Sequence, residues 1–235
     1  MRLKNNIVSL VSATQCLFMS KINYHLQSLL EVEKFKNLDH KPSILLHACC
    51  APCSSHTLRF LMQYFAVTIL YDNSNVFPFK EYQIRRDEIE WFVSEFNKRE
   101  NAEVKILFPP YEHDKFMKDL RPLALEKEGG ARCLICYEKK IEEALRYGQE
   151  FGFDYATTTL TISRQKNSQI INAIALNSAT KYPDIKYFFS DFKKNGGLDE
   201  VKAMKEEYQL YQQTYCGCEY SLRDRKMLEK NIQND

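Results

Sequence analysis

Short apolar runs alternate with longer amphipathic stretches along most of the chain. Five runs have the length and composition of buried strands, and they cover residues 44–48, 67–71, 104–108, 154–159 and 185–189. Helical periodicity predicts helices over residues 22–35, 53–64, 80–99, 134–150, 167–181 and 199–213. A helix-rich insertion at 112–127 follows Pro109-Pro110. Because strands that alternate with helices form parallel sheets, we expect an α/β fold: a single domain with a mostly parallel sheet flanked by helices.

The amino-terminal region is predicted to lie outside this sheet. Residues 1–18 are weakly apolar, broken by polar residues and without a motif. We expect them to be a dispensable, poorly ordered tail or an over-extended gene start before Met19. A secretory signal is disfavoured because the apolar stretch is short and polar. Residues 19–42 are expected to form a helical extension, and residues 43–235 the α/β catalytic domain.

Composition narrows the classes of partner. The 235 residues are 44% hydrophobic and 27% charged, which is typical of a soluble globular protein. No apolar run approaches the roughly 18 residues of a membrane-spanning helix, so no membrane partner is expected. The net charge is only +2, so a nucleic-acid partner would have to bind a local basic patch.

Eight cysteines carry the strongest chemical signal. Seven of them form three tight groups, at Cys49-Cys50-Ala51-Pro52-Cys53, Cys133-Leu134-Ile135-Cys136 and Cys216-Gly217-Cys218, and only Cys16 stands alone. Without a secretory signal the expected compartment is the cytoplasm, where thiols stay reduced. Clustered cysteines there bind metals or take part in catalysis more often than they form structural disulfides. The groups therefore predict a metal or redox site.

The first two groups permit three kinds of site. Cys50-x-x-Cys53 and Cys133-x-x-Cys136 can form a structural zinc site, although the 79 residues between them exceed the separation usual in a compact zinc ribbon. Cys50 and Cys53 alone can form a thioredoxin-like dithiol. An iron–sulfur cluster can use Cys49, Cys50, Cys133 and Cys136 and leave Cys53 beside it. Spacing alone does not separate iron from zinc.

The third group predicts redox chemistry. Two cysteines one residue apart form only a strained disulfide, which is easily reduced. The intervening Gly217 permits the tight backbone that such a bond needs. Cys216 and Cys218 are therefore suited to giving up two electrons and being reduced again; the alternative is two surface thiols that share no function.

The cysteine groups and their surroundings resemble the epoxyqueuosine reductases of the QueH type over about residues 20–221. The motifs that carry the resemblance occur in the order of that family: Leu45-Leu46-His47-Ala48-Cys49-Cys50-Ala51-Pro52-Cys53-Ser54, Gly129-Gly130-Ala131-Arg132-Cys133-Leu134-Ile135-Cys136-Tyr137, Thr157-Thr158-Thr159-Leu160-Thr161-Ile162-Ser163 and Tyr211-Gln212-Gln213-Thr214-Tyr215-Cys216-Gly217-Cys218. The resemblance implies the last step of tRNA queuosine biosynthesis, in which an epoxide on the modified wobble base is reduced to an alkene with release of water. It also implies a fold similar to the adenine-nucleotide α-hydrolases and a [4Fe-4S] cluster in place of cobalamin.

The resemblance also implies roles for particular residues. Cys49, Cys50, Cys133 and Cys136 match the cluster ligands, and Cys216 and Cys218 match a redox-active disulfide. Cys53 is then available to bind an additional mononuclear iron. The hypothesis is that the metal centre acts as a Lewis acid while Cys216 and Cys218 supply or relay electrons from an unidentified electron donor.

For several other residues of the motifs, two structural roles are open. His47 is either an acid or a packed residue at the end of a strand, and Tyr137 and Thr157–Thr159 either line the pocket or pack. The partner implied is tRNA carrying epoxyqueuosine in the anticodon loop, whose phosphates would contact local basic residues. The most basic internal stretch with a family motif is 155–197, with six lysines and arginines against two aspartates: Arg164, Lys166, Lys181, Lys186, Lys193 and Lys194 against Asp184 and Asp191. Arg85 and Arg86 either add to this patch or lie on a helix surface.

Two segments depart from the family pattern, and both are expected to line the substrate pocket. They are the loop Tyr71–Pro78 and the segment Arg164–Ser168. The rival functions are a zinc-stabilised nucleic-acid-binding module and an ATP-dependent tRNA-modifying enzyme. The second rival needs a glycine-rich phosphate loop after the first strand, where this chain has Cys49-Cys50-Ala51-Pro52 and no glycine.

Overall fold

A five-stranded parallel sheet forms the centre of the protein. The computed structural model describes residues 21–234. The strands are β1 Ser43–His47, β2 Ala66–Leu70, β3 Lys105–Leu107, β4 Tyr155–Thr158 and β5 Lys186–Tyr187. They are hydrogen-bonded in the order β3-β2-β1-β4-β5, and every neighbouring pair is parallel. The predicted α/β fold is thus confirmed, with a sheet that is parallel throughout.

Helices connect the strands and cover both faces of the sheet. They are α1 Tyr24–Glu33, α2 Ala51–Leu61, α3 Phe79–Glu100, α4 His113–Met117, α5 Ala131–Glu150, α6 Ser168–Ala179, α7 Gly197–Glu207 and α8 Glu219–Asn234. Short 3-10 helices occupy Arg121–Leu123 and Thr159–Ile162. The predicted insertion at 112–127 contains α4 and the first 3-10 helix. None of the helices in the described part of the chain is long and apolar enough to cross a membrane.

The core consists of two apolar layers separated by the sheet. Along β1, Ile44 and Leu46 pack with α2, α3 and α7 on one face, whereas Leu45 packs with α5 and α6 on the other. Successive side chains of a strand point to opposite faces, so a strand covered on both faces has to be apolar at every position. This explains why the centre of β1, Ile44–Leu46, is a continuous apolar run and not an alternating one.

The topology brings the ends of β1 and β4 together at the middle of one sheet edge. β1 lies between β2 and β4, and His47 pairs in register with Thr158. Because the chain leaves β1 to one side and β4 to the other, a crevice opens beyond these carboxyl ends, where open parallel sheets bind ligands. α2 begins at Ala51, two residues before the predicted start, with proline in its first turn. Cys53 therefore lies within the helix.

The amino-terminal expectations are met only in part. α1 lies within the predicted helix 22–35 and contributes Val32 to the core. The expectation for residues 1–18 lies outside the described residues, and the division at residues 42 and 43 stays a prediction.

Candidate active site at the carboxyl edge of the sheet

Three cysteines meet where β1 passes into α2. The Sγ atoms of Cys49, Cys50 and Cys53 lie within 4.8 Å of one another, and those of Cys49 and Cys50 are 3.7 Å apart. Cys49 and Cys50 fill the short link after β1, and Cys53 follows one helical turn later. Adjacent cysteines can thus point to one place because the chain bends sharply between the strand and the helix.

One thiol of this trio is more acidic than the other two. The thiols of Cys50 and Cys53 hydrogen-bond to Cys49 and hold its pKa well below the usual value, with help from Lys166 and the Thr159 hydroxyl. Burial and the hydrogen bond with the Cys49 sulfur raise the pKa of Cys50 to about 12. The hydrogen bonds with Cys49 and Cys50 raise the pKa of Cys53. Thr159 Oγ1 also accepts a hydrogen bond from the Cys49 amide at 3.2 Å. A thiolate supported by two neighbouring thiols is a suitable ligand set for a metal.

The second cysteine pair lies in the first two turns of α5. The Gly129 amide donates to Cys133 Sγ at 3.2 Å, and Gly129 turns the chain into the helix with φ of +85°. Burial raises the pKa of Cys133 and, to about 12, that of Cys136. Cys133 and Cys136 lie outside the three-sulfur set, and Cys136 faces the same cavity as Cys49 and Cys53.

The third group lies across this cavity. Cys216 lines it, whereas Cys218 packs beside Phe116 and Tyr220 and accepts a hydrogen bond from the Ser221 amide at 3.4 Å. Both are free thiols in the structure. Desolvation raises the pKa of Cys216 against the opposing positive charge of Lys166.

A cavity of about 560 Å³ joins the three groups. All four motif stretches reach its wall, through Cys49 and Cys53, Cys136 and Tyr137, Leu160 and Ser163, and Gln213–Cys216. Both departing segments reach it too, through Asn73, Asn75, Val76, Gln165 and Lys166. Both segments therefore line this cavity, and its identity as the substrate pocket stays a prediction.

Two lysines make this cavity electropositive. Lys140 is only 4% exposed, and its ammonium donates to Asn73 Oδ1 at 2.8 Å while the Asn73 amide donates to Ala48 O. Within residues 21–234, neither Lys140 nor Lys166 has a carboxylate ion-pair partner. Desolvation lowers the pKa of Lys166, but the electrostatic interaction with the neighbouring acidic groups, above all Cys216 and Cys49, outweighs it and raises the pKa. The cavity therefore favours anionic contents.

Comparison with known proteins agrees with this arrangement. The family model for "Epoxyqueuosine reductase QueH" matches residues 44–224. This chain belongs to the QueH family. Three curated QueH proteins align over most of their length. The relative from Streptococcus pyogenes serotype M1 is 40% identical over 205 residues, which cover 86% of this chain and 79% of that protein. The relative from Staphylococcus aureus is 40% identical over 203 residues, which cover 86% of this chain and 84% of that protein. The relative from Staphylococcus epidermidis is 38% identical over 217 residues, which cover 92% of this chain and 91% of that protein.

The QueH match encloses all three cysteine groups, but it does not assign their roles. It begins one residue into β1 and ends within α8, so α8 is partly included. The cavity wall includes Ser221, Asp224, Arg225 and Leu228 of that helix. Sequence reasoning missed α8 and its contribution to the site.

The lysine at position 140 was also missed, although its sequence context contains a signal. Tyr137, Ile141 and Ala144 form the buried stripe of α5, and Lys140 falls on this stripe. A lysine at such a position has to find a polar partner inside the protein. That partner is Asn73, within one of the segments that depart from the QueH pattern.

His47 is packed at the end of β1, in agreement with the second of its two interpretations. It is fully buried, and its Nδ1 lies 2.9 Å from Thr158 Oγ1. Burial and the charge of Lys140 lower the pKa of His47 to about 3, so the ring is neutral at physiological pH. Thr157 donates to Phe188 O at 2.9 Å, and all three threonines are fully buried beneath the cavity. Tyr137 lines the cavity, which agrees with the first of its two interpretations.

The basic stretch 155–197 does not form one surface in this QueH protein. Lys186 begins β5 at the amino edge of the sheet, and Lys181 pairs with Glu142. Lys193 donates to Thr161 O at 2.7 Å and Lys166 O at 3.1 Å, so it holds the loop below the cavity rim. Exposed Arg164 remains beside cavity-lining residues. Arg85, expected on a patch or a helix surface, is buried at 1% exposure.

Proposed function

We propose that this protein is an epoxyqueuosine reductase, which reduces the epoxide of epoxyqueuosine at the wobble position of tRNA to queuosine in the cytoplasm. The observation that carries the proposal is the meeting of the three cysteine groups at one cavity on the carboxyl edge of the sheet. Membership of the QueH family supplies the substrate class. This would be the final step of queuosine biosynthesis.

The donor set suits the [4Fe-4S] cluster that the family resemblance implies. We assign the cluster to Cys49, Cys50, Cys133 and Cys136, and Cys53 to a possible additional mononuclear iron. The lowered pKa of Cys49 and the sulfur proximity of Cys49, Cys50 and Cys53 support thiolate ligation at this place. When bound, an iron centre supplies Lewis acidity and single-electron transfer.

Cys216 and Cys218 together can supply the number of electrons that the reaction consumes. Conversion of an epoxide to an alkene and water consumes two electrons and two protons. Oxidation of the Cys216 and Cys218 thiols to a disulfide releases the same two electrons and two protons. Both are free thiols, and Cys216 faces the cavity, which supports this assignment. An unidentified electron donor would then reduce the disulfide and restore the thiols.

The cavity wall offers polar groups for a base that has left the anticodon stack. Bases of a tRNA loop are unstacked and can enter a protein pocket. Asn73 and Gln165 present amides, and Lys140 and Lys166 present ammonium groups, near the metal-binding cysteines. With His47 neutral, Lys140 and Lys166 are cavity-wall cations without a carboxylate partner among the described residues, and they can hold an oxygen carrying developing negative charge.

Metal analysis of anaerobically purified protein tests the cofactor. We expect iron with acid-labile sulfide and a broad brown absorbance. Alanine at Cys49, Cys50, Cys133 or Cys136 should abolish the cluster, whereas Cys16→Ala should keep it. Stoichiometric zinc without labile sulfide after anaerobic reconstitution would exclude the iron–sulfur assignment.

Serine substitution separates the redox pair from the metal site. Cys216→Ser and Cys218→Ser should retain iron at the parent level but lose turnover on tRNA that carries epoxyqueuosine. Turnover is measured by mass spectrometry of the nucleosides after digestion of the tRNA. If both variants turn over like the parent with the same reductant, the pair has no redox role.

A further inference from the structure

A buried guanidinium holds the loop that carries Cys216. Arg85 lies on α3 and is 1% exposed, and its Nε pairs with Glu81 Oε1 at 2.8 Å. Its two terminal nitrogens reach in another direction, with Nη1 donating to Cys216 O at 3.2 Å and Nη2 to Tyr215 O at 3.3 Å. The guanidinium also lies over the Tyr215 ring, 5.3 Å from its centre. One side chain thus fixes two consecutive carbonyls of the loop.

The next residue completes the same arrangement. Gly217 has φ of +127°, and its carbonyl accepts from the Phe77 amide at 2.8 Å. A Cβ atom at Gly217 would lie 3.0 Å from Arg85 Nη1 and 3.2 Å from Val76 Cγ2. The guanidinium therefore packs directly against the backbone between the two cysteines, in a conformation that glycine adopts most readily.

The side chains of the two cysteines have separate surroundings in this arrangement. Cys216 lines the cavity, whereas Cys218 Sγ accepts from Ser221 and packs beside Tyr220. A bond between the sulfurs requires the two side chains to converge across Gly217. Contacts that fix the backbone in the dithiol form favour that form over the disulfide, because a contact stabilises the state in which it is made.

We propose that Arg85, held by Glu81, is a positioning residue that keeps Cys216 directed into the cavity and favours the dithiol form of the Cys216 and Cys218 pair. This inference rests on the proposed redox function of that pair. Arginine suits the role because its planar fork donates in several fixed directions at once, whereas lysine is a single point donor.

Arg85→Lys is the first test variant. It keeps a positive charge beside Glu81 and removes the paired hydrogen bonds to the carbonyls of Tyr215 and Cys216. The matched control is Arg86→Lys, on the next residue, whose guanidinium lies over Phe108 and whose side chain is 40% exposed. Gly217→Ala is the second variant, because it disturbs the same contact from the loop side. Each protein is purified with its metal, and iron, sulfide and far-ultraviolet circular dichroism are measured.

The readouts are steady-state turnover on tRNA carrying epoxyqueuosine and the thiol–disulfide equilibrium of the pair in glutathione buffers. For Arg85→Lys and Gly217→Ala we expect parent iron content, KM within about twofold and kcat lowered at least about tenfold. The equilibrium constant with glutathione should shift at least about tenfold toward the disulfide in Arg85→Lys. Arg86→Lys should match the parent in every measurement.

Two results would overturn the inference. The first is parent kcat and parent thiol–disulfide equilibrium in Arg85→Lys, and the second is loss of iron or of helical signal in both variants, which would make Arg85 a support of the fold. The proposed function fails separately, if Cys216→Ser turns over like the parent. An inactive Cys216→Ser beside a parent-like Arg85→Lys contradicts only the positioning role.

Discussion

Single buried polar residues determine where charge lies in this protein. The pKa of Cys49 lies well below the usual value because two thiols hydrogen-bond with it, His47 is neutral because it is buried next to Lys140, and Arg85 is charged in the interior because Glu81 accompanies it. Sequence patterns identified the cysteines but not these partners. Burial of Lys140 and Arg85 depends on loops far away in sequence, at Asn73 and at Tyr215-Cys216, so the helical pattern alone did not predict it.

Glu88 gives this residue-scale electrostatics a measurable pH dependence. One of its oxygens accepts from the Tyr211 amide, and the other is buried without a hydrogen-bond partner among residues 21–234. Burial raises the pKa of Glu88 from its ordinary value of 4.5 to about 7. The folded protein therefore keeps a proton that the unfolded chain has already lost between these two values. It follows that the stability from this group is complete below pH 4.5 and is lost as the pH rises to 7.

Glu88→Gln should remove this loss. The free energy of unfolding, measured by urea denaturation across this pH range, should fall less steeply with rising pH in the variant, by at most about 1.4 kcal/mol per pH unit for one proton. At neutral pH the variant should be the more stable protein. Glu90→Gln, an exposed position on the same helix, serves as the control and should follow the parent. Parallel curves for Glu88→Gln and the parent would show that Glu88 is ionised in the folded protein.

At the scale of elements, the pattern of apolar positions predicted the strands well. It predicted the ends and the existence of the more polar helices poorly. Each of the five strands lies within or one residue beyond its predicted run. The apolar signal is clearest in β1, which is buried between β2 and β4 and covered by helices on both faces. α7 ends at Glu207, short of the predicted residue 213, and Gln209 follows in a left-handed conformation with φ of +52°. α8 was missed because exposed charged residues dominate it and few apolar positions mark a buried face.

The packing of α5 on the sheet depends on a glycine within the helix. Gly148 faces Ile185, and a Cβ atom there would lie 2.2 Å from Ile185 Cδ1. Gly148→Ala should lower the free energy of unfolding, because overpacking a core costs about 1–3 kcal/mol. The higher helix propensity of alanine offsets up to about 1 kcal/mol of this cost. Urea denaturation of the metal-free proteins measures the change.

Ile185→Val tests the cause, since it removes the one atom that the new methyl group would strike. Alone it should destabilise by about 0.5–1.5 kcal/mol. In the Gly148→Ala background it should be neutral or stabilising, which a double-mutant cycle detects. Additive effects of the two substitutions would mean that the side chain moves aside freely and that close approach at Gly148 is unimportant.

At the scale of the whole molecule, the site exists only because the topology brings distant segments to one edge. Four motif stretches, separated in sequence by other elements, reach one cavity where β1 and β4 end. Thr159, which follows β4, contacts Cys49, which follows β1, at this edge. The sequence did not predict which basic residues share that edge. The basic stretch includes α6 and β5, which run between the carboxyl and the amino edge of the sheet, so residues close in sequence lie at opposite edges.

The edge at which a basic residue lies should decide its effect on tRNA affinity. Arg164 is exposed, and its neighbours Ser163 and Gln165 line the cavity, whereas Lys186 lies at the opposite edge, on β5. A tRNA loop that places its wobble base in the cavity brings its phosphates near Arg164 and away from Lys186. Arg164→Glu should therefore weaken binding of tRNA carrying epoxyqueuosine and reduce the slope of log K against log salt concentration by about 1. Lys186→Glu changes the net charge equally and should leave that slope unchanged. Filter binding over a salt series measures both, and equal slopes for the two variants would place the tRNA on another face of the protein.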